Sequence, residues 1–321
     1  MSRFSDFGND LYSGKRSIDF VGRRKYWYAI AALAVILAVL VPTLRGGFNF
    51  GIEFRGGSEF RIENVQSQSQ QLAADAVDDV VPGLAVVVSS VGTDSVRVQT
   101  ERLSDLESEE IRLALAAAYE VQSGDVTGSF IGANWGEDVT AKAINGLVVF
   151  IVLVAVLMAL YFRTLKMAAA ALAALFHDLV VTAGIYGALG FEVTPAAVIG
   201  FLTILGYSLY DTVVVFDKIR ENTLEVEFSE TTTFASQVNL AINQTLVRSI
   251  NTSVVAVLPV AAILFVGSTL LGAGTLRDIS LALFIGMIAG TYSTIFIAAP
   301  VYSHLREREA RFTKVSQPVS A

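Results

Sequence analysis

Six long apolar stretches constrain the fold of this 321-residue chain more than any other feature. A helix that crosses a bilayer needs about 20 largely apolar residues, at about 1.5 Å of rise each. Only 17% of the residues are charged, so the surplus apolar surface must face something other than water. The predicted membrane spans are Tyr26–Leu44, Ile144–Phe162, Met167–Leu189, Pro195–Phe216, Ile250–Leu270 and Ile279–Ser303.

The distribution of basic residues predicts the orientation of these spans. Lys and Arg collect in short loops on the cytoplasmic side of a membrane. The N-terminal segment, the turn 163–166, the loop 218–220 and the tail after Ser303 hold fourteen of the 23 Lys and Arg residues. Both termini are therefore predicted to be cytoplasmic. The first apolar stretch lacks a small-residue cleavage site, which indicates a retained anchor and not a signal peptide.

An acidic segment between the first two spans accounts for most of the net charge of −7. Residues 45–140 carry sixteen Asp and Glu against six Arg, which argues against nucleic acid as a partner. The absence of cysteine excludes disulfides and thiolate chemistry. The predicted division of the chain is a cytoplasmic segment 1–25, a span 26–44, an extracytoplasmic domain 45–141, five spans in 142–305 with a cytoplasmic loop 217–243, and a cytoplasmic tail 306–321.

The pattern within residues 48–131 predicts an α+β domain. Alternating apolar residues from Phe48 to Phe54 predict a strand, which resumes after Gly56-Gly57. The order β-α-β-β-α-β is that of a ferredoxin-like split βαβ unit. In the cytoplasmic loop, an amphipathic stretch from Ser229 predicts a helix along the membrane surface. The later elements of the domain are predicted as a helix at Ser69–Val80, strands at Leu84–Ser89 and Ser95–Thr100, a helix from the Ser104 capping box to about Tyr119, and a strand at Val126–Ile131.

Three charged residues within or at the edge of the spans are candidate functional residues: Asp178, Asp211 and Arg248. A charge at the centre of a bilayer costs roughly 2.5–3.5 kcal/mol on insertion scales, so such residues are expected to face a protein interior. A carboxyl group there is balanced between a neutral form, which burial favours, and a charged form, which a nearby cation favours. Such a group can load and release a proton.

Asp211 lies in the fourth span, where helical spacing places Tyr207 and Ser208 on its face. Gly200 and Gly206 are expected to let a neighbouring helix approach closely. The alternative is a carboxylate that reaches the cytoplasmic interface, because Asp217 and Lys218 follow less than two turns later.

Arg248 begins a polar stripe at the entrance of the fifth span, together with Gln244, Asn251 and Thr252. An arginine here could pair with Asp211 without competing for its proton, because a guanidinium stays charged. The alternative is an anchor at the cytoplasmic end of the span.

His177 precedes Asp178 in the third span, and adjacent helical residues point about 100° apart, so Asp178 is the stronger candidate of the two. His177 is interpreted either as a proton relay or as a structural residue. The small residues Gly286 and Gly290, with Ser293, indicate close helix packing. The sequence contains no P-loop, HExxH or nucleophile-elbow motif, so we predict no cofactor and no hydrolytic site.

Four segments in order along the chain carry a family resemblance. Gly51-Ile-Glu-Phe-Arg-Gly-Gly57 resembles a glycine-rich element of the SecF translocase subunits, with Glu53 where Asp is usual. Gly206–Asn222, reading GYSLYDTVVVFDKIREN, resembles the signature of their fourth helix. Asn243–Ser249 and His177-Asp178 resemble two further elements. The chain is therefore similar to the SecF family across nearly its whole length.

This resemblance implies half of a twelve-helix RND-type assembly with SecD in the bacterial cytoplasmic membrane. It implies the SecYEG channel, unfolded preproteins and membrane lipid as further partners, with YajC and YidC as additional candidates. It also assigns Asp211 and Arg248 to a proton pathway that drives movement of the extracytoplasmic domain. Three alternatives stay open: half of a small-solute or lipid exporter, an intramembrane aspartyl protease that uses Asp178 and Asp211, and a scaffold with locked charges.

Overall fold

A computed structural model describes residues 3–162, 164–224, 226, 232–267, 274–309 and 312. It contains a large helical block and a smaller α+β unit, which is inserted between the second and sixth helices. The helices are α1 (Arg3–Tyr12), α2 (Arg24–Leu44), α3 (Ile52–Arg55), α4 (Gln70–Val80), α5 (Asp105–Ala118), α6 (Ala133–Phe162), α7 (Leu165–Leu189), α8 (Pro195–Thr223), α9 (Phe234–Ala262), α10 (Gly274–Ser293) and α11 (Ala299–Arg306). The strands are β1 (Asn49–Phe50), β2 (Gly57–Ile62), β3 (Val86–Val91), β4 (Ser95–Thr100), β5 (Val126–Ile131) and β6 (Glu192–Val193).

Within the described residues, six helical segments are long and apolar enough to cross a membrane, which confirms the predicted number of spans. The segments around α7 and α10 are buried over half or more of their most apolar stretch, whereas less than a fifth of that stretch is buried in the segments around α2, α6 and α9. The predicted loop 217–243 is shorter than expected, because α8 continues to Thr223 and α9 begins at Phe234. The start of the predicted surface helix, at Ser229, lies outside the described residues.

Two of these segments contain a wider π-helical turn beside a proline. Ile263–Gly267 extends α9 shortly after Pro259, and Thr294–Ala298 joins α10 to α11 just before Pro300. Proline donates no backbone hydrogen bond and its ring clashes with the carbonyl group four residues earlier. At Pro300 this carbonyl group belongs to Phe296, inside the π-turn, which absorbs the mismatch while the segment continues as a helix.

The α+β unit contains one antiparallel sheet with the strand order β3-β4-β2-β5. Helices α4 and α5 pack together on one face, over a core that includes Phe60, Ile62, Val98 and Ile111. This arrangement agrees with the predicted order β-α-β-β-α-β. A capping box begins α5: the Ser104 hydroxyl accepts from the Glu107 backbone N–H, and the Glu107 carboxylate accepts from Ser104. Strand β3 starts two residues later than predicted.

The predicted first strand is wrong over most of its length. Only Asn49–Phe50 is extended, and Ile52–Arg55 forms the short helix α3. Strand β1 pairs in parallel with β6, which lies in the turn between α7 and α8. Helix α3 packs on the start of α6, where a side chain at Gly136 would collide with the backbone of Phe54. Tertiary contacts with two other segments therefore override the local alternating pattern.

Candidate functional site

Asp178 on α7 is completely buried and accepts hydrogen bonds from two neighbouring helices. The Ser208 hydroxyl on α8 donates to its Oδ2 atom at 2.6 Å, and the Ser293 hydroxyl on α10 donates to the same atom at 2.8 Å. Hydrogen bonds to a charged group are worth about 1.5–3 kcal/mol each, so these serines compensate part of the cost of burying the carboxyl group. Asp178 thus joins α7, α8 and α10 in the interior of the block.

His177 lies beside Asp178, with its Nδ1 atom 3.3 Å from Asp178 Oδ1. Its ring is buried and its centroid is 6.0 Å from that of Tyr292 on α10. Nε2 is buried and has no hydrogen-bond partner among the described residues. These contacts are compatible with a structural role and with a proton relay, so both roles of His177 stay predictions.

Asp211 on α8 lies inside the helical block, with 7% of its surface exposed. The Ser249 hydroxyl on α9 donates to its Oδ1 atom at 2.8 Å. Its Oδ2 atom is buried and has no hydrogen-bond partner within the described part of the chain. Neighbouring helices shield this carboxyl group, and its depth in the membrane stays a prediction. One oxygen of Asp211 therefore remains open to a proton or a water molecule.

Helix α8 carries Asp211 itself and, about one helical turn earlier, the serine that binds Asp178. Ser208, which binds Asp178, precedes Asp211 by three residues, or about 4.5 Å along the helix axis. On the same turn, the Thr212 hydroxyl lies 3.0 Å from the Thr294 hydroxyl and donates to the Ser208 carbonyl group. Ser208 and Thr212 therefore place two hydroxyl groups on the turn of α8 that also carries Asp211.

Arg248 does not contact Asp211, although the two residues belong to adjacent helices. Its side chain is exposed and forms no ion pair within 4 Å with any described carboxylate, although its positive charge is near enough to act on the Asp211 carboxyl group. Ser249 takes the position that faces Asp211, and neighbouring residues on a helix point about 100° apart. Pairing of Arg248 with Asp211 therefore stays a prediction for another conformation.

The predicted supporting residues separate into two groups. Ser208 is buried at the site, whereas Tyr207 and Thr252 are half-buried and Asn251 is exposed. The Thr252 hydroxyl donates to the Arg248 carbonyl group within its own helix. A side chain at Gly206 would meet no described atom within 4 Å, so the predicted close approach at this glycine is not made by the described part of the chain and stays a prediction.

Several hydroxyl side chains in the site are missed by the sequence interpretation. Ser249 and Ser253 lie four residues apart on the inner face of α9, which was the signal available in the sequence. The Ser253 hydroxyl accepts from Thr291 at 2.7 Å. Serine and threonine are common in membrane helices as packing residues, so this signal is weak. The overlooked residues are Thr212, Ser249, Ser253, Thr291 and Thr294, together with the contact of Ser293 to Asp178.

The two buried carboxyl groups lie in separate hydrogen-bonded surroundings. The described residues contain no cluster of three or more His, Cys, Asp or Glu that could hold a metal ion. A catalytic aspartyl pair shares one site and one proton. Here Asp178 and Asp211 bind different serines, and the described hydrogen bonds include none between the two carboxyl groups. Asp178 instead lies beside His177 and two serines, and Asp211 lies beside Ser249.

These features define a class: a multi-pass membrane protein with an inserted α+β unit and buried carboxyl groups in its helical block. The family described as protein export membrane protein SecD/SecF, C-terminal, matches residues 113–308. The SecF protein translocase subunit of Streptomyces coelicolor is 43% identical over all of this chain and 85% of its own length. That of Mycobacterium tuberculosis is 42% identical over 94% of this chain and 70% of its own length. The chain belongs to the SecF family of protein translocase subunits.

A solved structure shows the same fold. The crystal structure of SecDF from Thermus thermophilus, a translocon-associated membrane protein, superposes with a TM-score of 0.79 at 30% identity. The match covers 91% of this chain but 39% of the SecDF chain. The present chain therefore corresponds to one part of a longer polypeptide in that relative.

Proposed function

We propose that this chain acts with SecD as an accessory subunit of the Sec translocase and uses the proton-motive force to promote export of preproteins. In this proposal both termini are cytoplasmic and the α+β unit is extracytoplasmic. The relatives support the translocase part, because they are named SecF and SecDF. SecYEG, YajC and YidC enter only as partners that the family resemblance implies. The chain contributes movement and no hydrolytic chemistry.

The observation that carries the proton-driven part is the environment of Asp211. The carboxyl group is buried, holds one hydrogen bond from Ser249 and leaves Oδ2 without a described partner. An ionised carboxylate in such a place is costly unless it is paired. A bound proton removes the charge, and its release requires either water or an approaching cation. Gain and loss of one proton would thus change how α8 and α9 pack together.

The exposed position of Arg248 supports a second membrane subunit. Arg248 lies on the outer side of α9, one residue from Ser249. A charged side chain facing hydrocarbon is costly, so this side of α9 is expected to be covered by protein or to face a water-filled cavity. The match covers 39% of the related SecDF chain, so that relative contains further chain beyond the part that this protein matches. SecD would then lie against α9, and Arg248 would lie at the interface between SecD and this chain.

The energy that one proton releases on crossing the membrane is small, so many small movements of the protein are expected for each exported substrate. One elementary charge that crosses a potential of 100 mV releases about 2.3 kcal/mol. This amount biases a domain between two orientations but does not unfold a large substrate at once. Cycles of protonation at Asp211, with Arg248 as the cation of the deprotonated state, would move the helices and the α+β unit with them. Asp178 would support the pathway from the neighbouring turn.

Replacing Asp211 tests this proposal directly. In cells that depend on this chain, Asp211→Asn should abolish the part of preprotein export that a protonophore inhibits, because the amide does not release a proton. The amount of the protein in the membrane should stay unchanged. Asp217→Asn is the matched control, since Asp217 lies on the same helix and binds the Tyr161 hydroxyl at 2.8 Å.

Two results would contradict the proposal. Export in the Asp211→Asn strain that equals the parent and keeps its protonophore sensitivity would exclude Asp211 from the energy coupling. Purification of the parent chain from the same membranes, without SecD or any channel subunit, would exclude the translocase assembly.

A further inference from the structure

The α+β unit is attached to the helical block at the turn between α7 and α8. Glu192 in this turn accepts two hydrogen bonds from the open face of the sheet. Arg97 Nη2 donates to Glu192 Oε2 at 2.6 Å, and Gln99 Nε2 donates to Glu192 Oε1 at 2.7 Å. The side chains of Arg97 and Glu192 are 26% and 17% exposed, so water screens this ion pair only in part. Both oxygens of one carboxylate are therefore bound from the neighbouring unit.

Two more carboxyl groups crowd the same junction. Gln99 Nε2 also donates to Glu59 Oε2 at 3.0 Å, so this amide bridges two acidic side chains. Glu53 on α3 has a buried Oε2 atom without a hydrogen-bond partner among the described residues. Burial raises the pKa of Glu53, and the charges of Glu192 and Glu59 raise it further, while a hydrogen bond from its own backbone and the charge of Arg97 partly oppose this rise.

A cavity of about 250 Å³ continues from this junction to the start of α10. Arg277 and Asp278 line it, together with Arg97, Gln99 and Glu192. Asp278 Oδ2 accepts a hydrogen bond from the Thr194 hydroxyl at 2.8 Å. The charged groups around Glu53 therefore come from β2, β4 and β6, and those at the start of α10 extend the same network.

The attachment point lies at the ends of the two helices that carry the buried aspartates. Glu192 follows α7 after Gly190 and precedes Thr194, the N-cap residue of α8. The chain that leads into the α+β unit is fixed to the same turn, because Gly51 N–H donates to the Val193 carbonyl group at 3.0 Å. A shift of α7 against α8 would therefore act on the sheet through Glu192.

We propose that Arg97, Gln99 and the carboxyl groups of Glu53, Glu59 and Glu192 form a latch between the α+β unit and the α7–α8 turn, and that a proton held in this cluster keeps the latch closed. Three carboxyl groups crowd this shielded junction, where Arg97 pairs with Glu192, and Arg55 and Arg277 line the adjoining cavity. Loss of a proton leaves net negative charge that only separation and hydration relieve. The proposal is based on the contacts of Glu192, Arg97, Gln99 and Glu59, and it does not depend on the proposed export function.

The direction of the pH dependence follows from Glu53. Its pKa in the closed latch is raised from the ordinary value of 4.5, so the closed state binds the proton more tightly than an open, hydrated state. Protonation therefore favours closure. Closure is strongest below the ordinary value and weakens as the pH rises through the raised pKa.

Spin labels test the latch in the full chain. The sequence contains no cysteine, so labels attach only at introduced sites. Glu110→Cys on the exposed side of α5 and Leu276→Cys in the first turn of α10 report the distance between the two units in lipid nanodiscs. The parent pair should show one short distance near pH 5 and a growing population of longer distances up to pH 8.

Three variants separate the parts of the latch. Arg97→Gln should increase the open population on the order of tenfold, because it leaves Glu192 without its ionic partner. Arg61→Gln is the matched control: Arg61 pairs with Arg97 in register across the sheet, but its own ion pair with Glu63 is largely exposed. Glu53→Gln should keep the short distance at every pH, because the amide imitates the protonated carboxyl group.

The latch is overturned if Arg97→Gln and Arg61→Gln give the same distance distribution, or if Glu53→Gln retains the pH dependence of the parent. Hydrogen exchange within α5 checks that each variant is folded. A variant that has lost this protection is replaced by Glu192→Gln, which breaks the same ion pair from the helical side.

Discussion

At the scale of single residues, buried acids are recognisable in this sequence while their hydrogen-bond donors are not. Asp178 and Asp211 are conspicuous because a charge within an apolar span is costly. Ser249 and Ser293 are not conspicuous, because a hydroxyl group fits into a membrane helix whether or not it binds a carboxylate. Arg248 illustrates the same limit. Its charge marks the correct turn of α9, but the neighbouring Ser249 faces Asp211.

Two buried serines on the last membrane segment allow a test of how much a hydroxyl donor to Asp178 stabilises the fold. Ser293 donates to Asp178 at 2.8 Å, whereas the buried Ser303 hydroxyl has no hydrogen-bond partner among the described residues. Ser293→Ala should lower the free energy of unfolding by about 1–3 kcal/mol, because the buried acceptor loses a donor. Ser303→Ala should be neutral or slightly stabilising. Thermal unfolding in detergent measures both, and equal losses would contradict the role of Ser293.

At the scale of elements, glycines set the distance between α8 and α10. A side chain at Gly286 would collide with Ile204, and one at Gly290 would approach Ser208 to 3.1 Å. Gly200, from the opposite side, meets Ala282. This close approach allows Ser293 on α10 and Ser208 on α8 to reach the same carboxyl group of Asp178. The predicted role of the stripe Gly286–Gly290 in packing agrees with these contacts.

A comparison of two glycines tests this spacing. Gly286→Ala should destabilise the block by about 1–3 kcal/mol, because the added methyl group has no space beside Ile204. Gly206→Ala adds the same atom where no described atom lies within 4 Å, and should stabilise α8 by up to about 1 kcal/mol through helix propensity alone. Chemical denaturation in mixed micelles distinguishes the two. Destabilisation by Gly206→Ala of the same size would show that its side of α8 is covered by another surface.

Some elements of this fold can be predicted from the local sequence, and others depend on contacts between distant segments. The six spans are predictable because length and hydropathy alone determine them. The helix α3 is not predictable, because alternating apolar residues normally indicate a strand and only the contact with α6 makes a helical turn favourable. The pairing of β1 with β6 joins positions far apart in the chain, with Asn49 opposite Glu192. Only the assembled helical block brings these segments together.

At the scale of the whole molecule, the N-terminal segment is part of the folded structure. Asn243 on α9 accepts a hydrogen bond from Ile18 N–H at 2.8 Å and donates to the Ile18 carbonyl group at 2.9 Å. Asn239 accepts from the backbone N–H of Phe20 at 2.8 Å. Leu11 and Phe20 are buried in the main core. The segment that composition describes only as basic and polar is thus fastened to the fifth membrane segment, a few turns from Ser249 and Asp211.

Asn243→Ala should detach this segment without unfolding the block. Asn243 is buried and its amide group pairs with the Ile18 backbone as a neighbouring strand would, so alanine removes both hydrogen bonds to Ile18. Amide hydrogen exchange at residues 18–21 should accelerate on the order of tenfold to a hundredfold, because each lost hydrogen bond is worth about 1 kcal/mol. The full chain in nanodiscs, analysed by mass spectrometry, gives this rate. Asn251→Ala, at an exposed position two turns further along α9, should leave the exchange unchanged. Equal rates in the Asn243→Ala variant and the parent would mean that Asn239 and the buried apolar side chains hold the segment by themselves.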